Sequence, residues 1–316
     1  MNLISIIVPM YNEKENIKNC IENLKHQKNQ NFDVVFIDDG SIDQTLKIIR
    51  SHLELGVSFN YKIFEQGNKG ASQARRLGIE NTSTKFILFL DSDDGFSEDM
   101  IDEIYKKHNE HPDLDIVIPD MSVENRNKFW NPLHFYTSDN ELDPIDCIVN
   151  SLNGWRVHGC FAIRKEIIEK SYKYYEEYNI NSNNYINNDE VITRLNFLNS
   201  KKIMRISAVY YYHYNFLSTT QKINHNNYLM LKNAFILNDI FSDHPRIRVS
   251  ANNNTVYVLW STYSYMRKHK TELKNKAAWK YSIIEGIDKI SYFGLFSKIK
   301  LTRKIRLILF RIANLL

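Results

Sequence analysis

Residues Phe86 to Gly95 read FILFLDSDDG, an apolar run that stops in three carboxylates, Asp91, Asp93 and Asp94. Like charges this close repel, and each raises the pKa of the next. A positive partner is therefore expected beside them. Carboxylates spaced D-x-D at a strand end can share one hard divalent cation and leave its other positions to phosphate oxygens. Mg2+ is commonly held in this way, and Mn2+ also prefers oxygen ligands. Such an ion would neutralise the charge that develops on a departing diphosphate. An EF-hand is excluded, because Gly95 falls at a ligand position and Phe96 where that loop needs glycine. Two more polar clusters follow apolar runs: Tyr11, Asn12 and Glu13 after LISIIVPM, and Asp38 with Asp39 in FDVVFIDDG.

The elements that must carry these groups show in the hydrophobic spacing. Leu3 to Met10 predicts a strand, and Ile17, Cys20, Ile21 and Leu24 fall at helical spacing. FDVVFIDDG predicts a second strand, and Leu46, Ile49 and Leu53 mark a second helix. FNYKIFEQG, GASQARRLGIENT and KFILFL continue the alternation, followed by a helix near Ser97 to Asn109 and a fifth strand in LDIVIPD. Strands apolar on both faces that alternate with helices predict an α/β fold, a mostly parallel sheet flanked by helices. Ligands of such sheets sit beyond the strand carboxyl ends, where all three clusters fall. From about Asn224 the chain reads as helices without an acid–base constellation.

The 316 residues are 43% hydrophobic and 25% charged, enough for one large domain or two small ones. Cys20, Cys147 and Cys160 are far apart and form no CxxC, which argues against zinc and disulfides and suits a reducing compartment. The N-terminal apolar run has no basic region before it and is interrupted by Pro9, so it reads as a strand rather than a signal peptide. No run approaches a membrane span. From Lys289 to Leu316 there are seven bases and no acid, so the overall +4 leaves the first 288 residues at −3. A mildly acidic body argues against nucleic-acid binding. There is no GxGxxG after the first strand and no GxxxxGK[ST], which excludes a dinucleotide dehydrogenase and a Walker loop.

Four segments in order, SIIVPMYNEKENI, VVFIDDGSIDQT, EQGNKGASQARRLGI and FILFLDSDDG, resemble the successive motifs of family 2 glycosyltransferases. The resemblance implies the Rossmann-like GT-A fold. It also implies inverting transfer of a sugar from a nucleoside diphosphate, most often UDP, and a Mn2+ or Mg2+ cofactor. It divides the chain into a nucleotide-sugar half (1–120), an acceptor-binding half of the same domain (121–223) and a helical C-terminal extension (224–316). Pro9, Tyr11 and Glu13 would line the nucleotide pocket. Asp39, with Asp38 beside it, would accept a hydrogen bond from the base. Asn68, Lys69 and Arg75 would lie near the base and diphosphate, and Asp91 and Ser92 near sugar or ribose. Asp93 would bind the metal, with Asp91 and His213 completing its shell. Ser218 and Thr219 would touch the diphosphate.

Inverting transfer needs one carboxylate to take the acceptor proton, and the resemblance places it in YINNDEVITRLNFLNSKKI. Asp189 is the candidate and Glu190 the alternate; Asn188 stands where the family usually has Glu. Both are also acids that a helix start favours. Trp155 and His158, in NGWRVHGCFAIRKEI, are candidates for acceptor contact, and either suits a core position equally. The acceptor expected is a glycan, a glycolipid or a wall or capsule polymer. A sugar nucleotidyltransferase would want glycines near its first strand, which VPMYNEKEN lacks. A non-catalytic glycan-binding relative would not need acids at three strand ends. The tail, Lys298 to Leu316, places Leu301, Ile305, Ile308, Ile312 and Leu315 on one helical face among basic residues. That pattern fits an anchor on an anionic membrane surface or a terminal helix docked on the core. The location expected is cytoplasmic, and peripheral on the inner face of the membrane if the tail binds lipid.

Overall fold

Burial on both faces makes a strand apolar along its whole length, and Ile4–Met10 (β1) is buried at every position. Its one hydroxyl, Ser5, accepts a hydrogen bond from Thr84 at 2.8 Å. The computed structural model describes residues 2–181, 183, 185–215, 223–289 and 300–314. After β1 come α1 (Ile17–Lys25), β2 (Phe32–Asp38), α2 (Thr45–Glu54), β3 (Asn60–Glu65), α3 (Ala71–Glu80) and β4 (Phe86–Phe89). Then follow β5 (Gly95–Phe96), α4 (Met100–Glu110), β6 (Ile116–Glu124), β7 (Trp130–Pro132) and β8 (Glu141–Leu142). Next are α5 (Pro144–Leu152), β9 (Ala162–Arg164), α6 (Lys165–Tyr178), α7 (Asn188–Asn199) and β10 (Ile203–Tyr212).

The sheet runs β3-β2-β1-β4-β9-β6-β10-β5, with β7 on β6 and β8 on β10. The first four strands are mutually parallel. β9 opposes both β4 and β6, and β10 runs parallel to β6. Two reversals restore the direction, so β1, β2, β3, β4, β6 and β10 deliver their carboxyl ends to one edge. Register makes this local: Met10 pairs with Asp38, and Asp38 with Glu65. The α/β expectation is met, with six of the ten strands running one way and the short β5, β7, β8 and β9 running against them. α4 starts at Met100 rather than near Ser97, because Gly95–Phe96 first pairs antiparallel with Tyr210 and Tyr211.

α1 and α2 bury Ile17, Cys20, Ile21, Leu24, Ile49 and Leu53 against the sheet. α3 approaches closest. A Cβ at Gly78 would stand 2.4 Å from Ile7 Cγ2, so the close approach requires glycine.

The chain forms two compact units. The first comprises Met1–Cys147, Arg156–Glu177 and Ile192–Asn215, and holds the sheet. The second comprises Ile148–Trp155, Tyr178–Val191 and Phe216–Leu316. Its helices include α8 (Met230–Ile240), α9 (Pro245–Lys268), α10 (Lys276–Lys289) and α11 (Leu301–Ile312). Leu231, Phe235, Val256, Leu259, Ile283 and Leu307 share its core. In α11 the face read from the sequence is turned outward: Leu301, Ile305, Ile308 and Ile312 are exposed, and Leu307 is buried instead. Leu315 and Lys298 lie outside the described residues. Among the described residues no helix is long and apolar enough to cross a membrane.

Candidate active site

The loop after β2 is tied to the loop after β3 by one carboxylate. Asp39 is only 4% exposed. Its Oδ1 accepts the Lys69 backbone N–H at 2.7 Å and the Gln66 amide at 2.8 Å; its Oδ2 accepts the Gly70 N–H at 2.8 Å. Gly40 makes room, with φ +78 and an imagined Cβ 3.0 Å from Asn68 N. Asp39 thus holds the segment carrying Asn68 and Lys69, both of which are exposed. Asp38 gives Oδ2 to the Ser41 N–H at 3.0 Å, while its buried Oδ1 has no hydrogen-bond partner among the described residues. An unmet acceptor of this kind is costly until a donor reaches it.

Pro9 is buried at the end of β1, and Tyr11 is exposed just beyond it. Asn12 takes φ 58, the left-handed region that Asn tolerates. Glu13 receives Asn16 Nδ2 at 2.7 Å. Burial, and then the negative charges of Asp93, Asp91 and Asp43, push its pKa up to about 7 against that hydrogen bond.

The three acids after β4 have different surroundings. Asp91 is paired with Arg75 at 2.7 Å. The next arginine of α3, Arg76, turns instead to Glu80 and Glu176. Asp93 accepts Asn215 Nδ2 at 2.8 Å, and burial together with Asp91 raises its pKa. Asp94 is nearly buried and accepts the Tyr210 hydroxyl at 2.7 Å and the His213 backbone N–H at 2.9 Å. Burial first, then Asp91, push it up to about 8. Ser92 is buried within this turn.

Crowded oxygen donors with raised pKa values fit a hard divalent cation, whose charge would relieve their repulsion. Preassembly goes less far than the sequence suggested. Among the described residues no three His, Cys, Asp or Glu side chains gather to hold an ion alone. Arg75 already neutralises Asp91, and the His213 ring sits 3.4 Å from Glu124 Oε2, edge-on to Trp130. Asp91, Asp93 and His213 therefore stand with separate partners, Arg75, Asn215 and Glu124.

Several partners escaped the sequence reading. Tyr210, Asn215 and Gln66 fix Asp94, Asp93 and Asp39. Glu124 holds the His213 ring and the Tyr214 N–H, and the exposed Trp130 packs on that ring. The run YYYHYN, rich in hydroxyl, imidazole and amide groups, could have hinted at Tyr210 and Asn215; nothing in the sequence pointed to Gln66, Glu124 or Trp130.

His158 is 2% exposed, and both ring nitrogens are engaged: Nε2 with Pro119 O at 2.8 Å and Nδ1 with the Cys160 N–H at 3.2 Å. Its contacts are internal, so no ring nitrogen is left for an acceptor. Trp155, in the second unit, is exposed at φ 58. Asp189 and Glu190 lie in the first turn of α7, in the second unit. Asn188, the departure from the family pattern, is buried and accepts Asn233 Nδ2 at 2.9 Å. Glu190 receives Asn187 Nδ2 at 3.1 Å, whereas Asp189 is exposed. Ser218 and Thr219 lie outside the described residues.

Comparison with known proteins bears on the family and the fold. Glycosyltransferase GlyG of Streptococcus pneumoniae is 35% identical over 117 residues, 37% of this chain and 38% of that protein. Minor teichoic acid biosynthesis protein GgaA of Bacillus subtilis is 39% identical over 108 residues, 33% of this chain and 24% of that protein. The alignments thus span well under half of either relative. Among solved structures, S. aureus TarS 1–349 in complex with UDP-GlcNAc superposes with TM-score 0.67 at 18% identity, covering 91% of this chain and 81% of that one. Mannosyltransferase PcManGT from Pyrobaculum calidifontis, in complex with GDP-Man and Mn2+, gives TM-score 0.51 at 16% identity, covering 99% of this chain and 87% of that one. At these identities the superpositions speak for a shared GT-A fold. The model of glycosyl transferase family 2 matches residues 5–172, more than half of the chain, and the chain belongs to that family.

Proposed function

We propose that the chain is a metal-dependent inverting glycosyltransferase. In this reading it moves a hexosyl or N-acetylhexosaminyl group from a nucleoside diphosphate sugar, UDP by first choice, to a hydroxyl of a surface glycan, a glycolipid or a wall polymer. The observation that carries the reading is the convergence at one sheet edge of the Asp39-held loop and the Asp91–Asp93–Asp94 turn. The names of the relatives point the same way, toward wall-polymer synthesis and, in TarS, a UDP-sugar. The Mn2+ complex of PcManGT supports a divalent cofactor. The free thiols suit the reducing cytoplasm.

Each residue then has a task. Asp38 and Asp39 receive the base, while Pro9, Tyr11 and Glu13 line its pocket. Asn68, Lys69 and Arg75 lie along the base and diphosphate; Ser218 and Thr219 belong to the same surface. Asp91 and Ser92 face the sugar or ribose. Asp93 holds Mn2+ or Mg2+, which when bound supplies charge neutralisation to the diphosphate. Asp189 takes the proton from the acceptor hydroxyl. The freed oxygen forms a bond to the anomeric carbon as the bond to the diphosphate oxygen breaks, and the nucleoside diphosphate carries away that electron pair. The exposed Trp155 offers a sugar-stacking surface for the acceptor.

The test is release of UDP from a panel of UDP-sugars, with Mn2+ and a wall-polymer or lipid-linked acceptor. Asp189→Asn should lower turnover by about 10²–10⁴-fold, the scale of general-base catalysis, with UDP binding retained. Near-normal turnover of that variant, with Glu190→Gln inactive, moves the base by one residue. Binding of nucleoside triphosphate with no UDP-sugar turnover would overturn the transferase reading.

A further inference from the structure

α11 is docked by the wrong side for a purely structural helix. A terminal helix that exists only to cover a core turns its apolar face inward. Here the inward side is mixed. Leu307 is 4% exposed and Phe310 packs edge-on to Tyr263 at 5.2 Å. On the same side Arg303 lies over the Trp260 ring at 5.3 Å, and Arg311 pairs with Asp288 at 2.5 Å. The outward side is the more apolar one. Leu301, Ile305, Ile308 and Ile312 are 71%, 47%, 52% and 50% exposed, and Leu309 beside them 58%. At 100° per residue these five span about 100°, roughly a quarter of the circumference, with Arg306 at one flank and Lys304 at the other.

We propose that α11 is an interfacial anchor, lying on an anionic lipid surface by the Leu301–Ile305–Ile308–Ile312 stripe with its basic flanks on the headgroups. The charge favours lipid over a second copy of this chain. No acid occurs from Lys289 to Leu316, so a two-fold contact through this stripe would set like charges side by side. A leaflet of anionic lipid offers the opposite: an apolar layer for the isoleucines under negative headgroups for the flanking Lys304 and Arg306. The two alternatives for the tail thus coexist in one helix, one face holding the helical core and the other available to lipid. Binding of this kind is independent of the transfer chemistry. If that chemistry is as proposed, the anchor keeps the enzyme where a lipid-linked acceptor is found.

The test is co-sedimentation of the full chain with vesicles of phosphatidylglycerol and phosphatidylcholine, against phosphatidylcholine alone, at low and high salt. The variants are Ile305→Glu/Ile308→Glu and Arg306→Glu. These side chains are exposed, so both variants should keep the wild-type melting curve and UDP binding. Expected is binding to the anionic vesicles only, weakened by salt. The double variant should bind at least about tenfold more weakly, and Arg306→Glu about fivefold or more. A full chain that ignores the anionic vesicles at low salt overturns the proposal, as does a double variant that binds them equally well. So does light scattering that shows a wild-type dimer broken by the double variant without lipid binding, which would make the stripe an interface between copies. UDP binding in the same samples reports separately on the nucleotide site.

Discussion

His158 makes the interior of the first unit sensitive to pH. Burial pushes its pKa down to about 4, against an ordinary value near 6.5. Between those values the unfolded chain binds the extra proton. The stabilisation is therefore fully present above about pH 6.5 and is lost as pH falls toward 4. From pH 7.5 to 5 the expected loss is about 2 kcal/mol. Glu13, raised to about 7, works in the opposite sense, losing its contribution as pH rises. Comparing wild type with His158→Gln separates the two. In denaturant titrations at both pH values the variant should lose about 2 kcal/mol less on acidification, and equal losses would refute the assignment. At this scale the sequence was legible where chemistry follows directly on a strand. Asp39, Asp91 and Asp93 could be picked out because an apolar run ending in acid is a local pattern. Tyr210 and Asn215 could not, since they meet Asp94 and Asp93 from 116 and 122 residues away. Nor could the burial of His158, which depends on what β6 places over it.

Elements meet where side-chain volume allows. Gly78 brings α3 onto β1, and a methyl group there would run into Ile7 Cγ2. Alanine gains about 1 kcal/mol of helix propensity over glycine, but overpacking a filled core costs about 1–3 kcal/mol. Gly78→Ala is therefore expected to destabilise. Paired with Ile7→Ala it should cost less than the two changes added, because each relieves the other. A stabilised single variant would show that the sheet yields more easily than the contact suggests. The strands and helices up to β4 were readable because each buries residues at its own period. β3 was readable as a strand but not as the edge of the sheet, where Asn60, Tyr61 and Lys62 are exposed. β5 went unread: two residues held by β10 carry no period of their own. The outward turn of α11 was unreadable for a related reason. Amphipathicity names an apolar face but not what covers it.

The whole molecule divides the proposed work between its units. The strand-end acids belong to the first unit, and Asp189 and α11 to the second. A nucleotide held by strand-end acids should therefore stabilise the first unit. UDP with Mn2+ at a hundred times its Kd should add about 2.7 kcal/mol. In hydrogen exchange the added protection should appear in β1, β2, β4 and residues 66–70. Asp93→Asn should lose the Mn2+-dependent share while keeping the fold. If the variant responds to Mn2+ as wild type does, Asp93 is not the metal ligand.

The crowd of carboxylates also reaches a buried sulfur. Cys20 on α1 is 1% exposed, and burial followed by the charges of Asp94, Asp93, Glu13 and Asp91 drives its thiol far above the ordinary range. The thiolate is the form that reacts with alkylating agents and oxidants. A buried thiol with a raised pKa carries little thiolate, so in the folded chain Cys20 is expected to react slowly and to react faster wherever α1 is opened. Alkylation of Cys20, read by peptide against Cys147 and Cys160, therefore reports how often α1 opens from the core beside these acids.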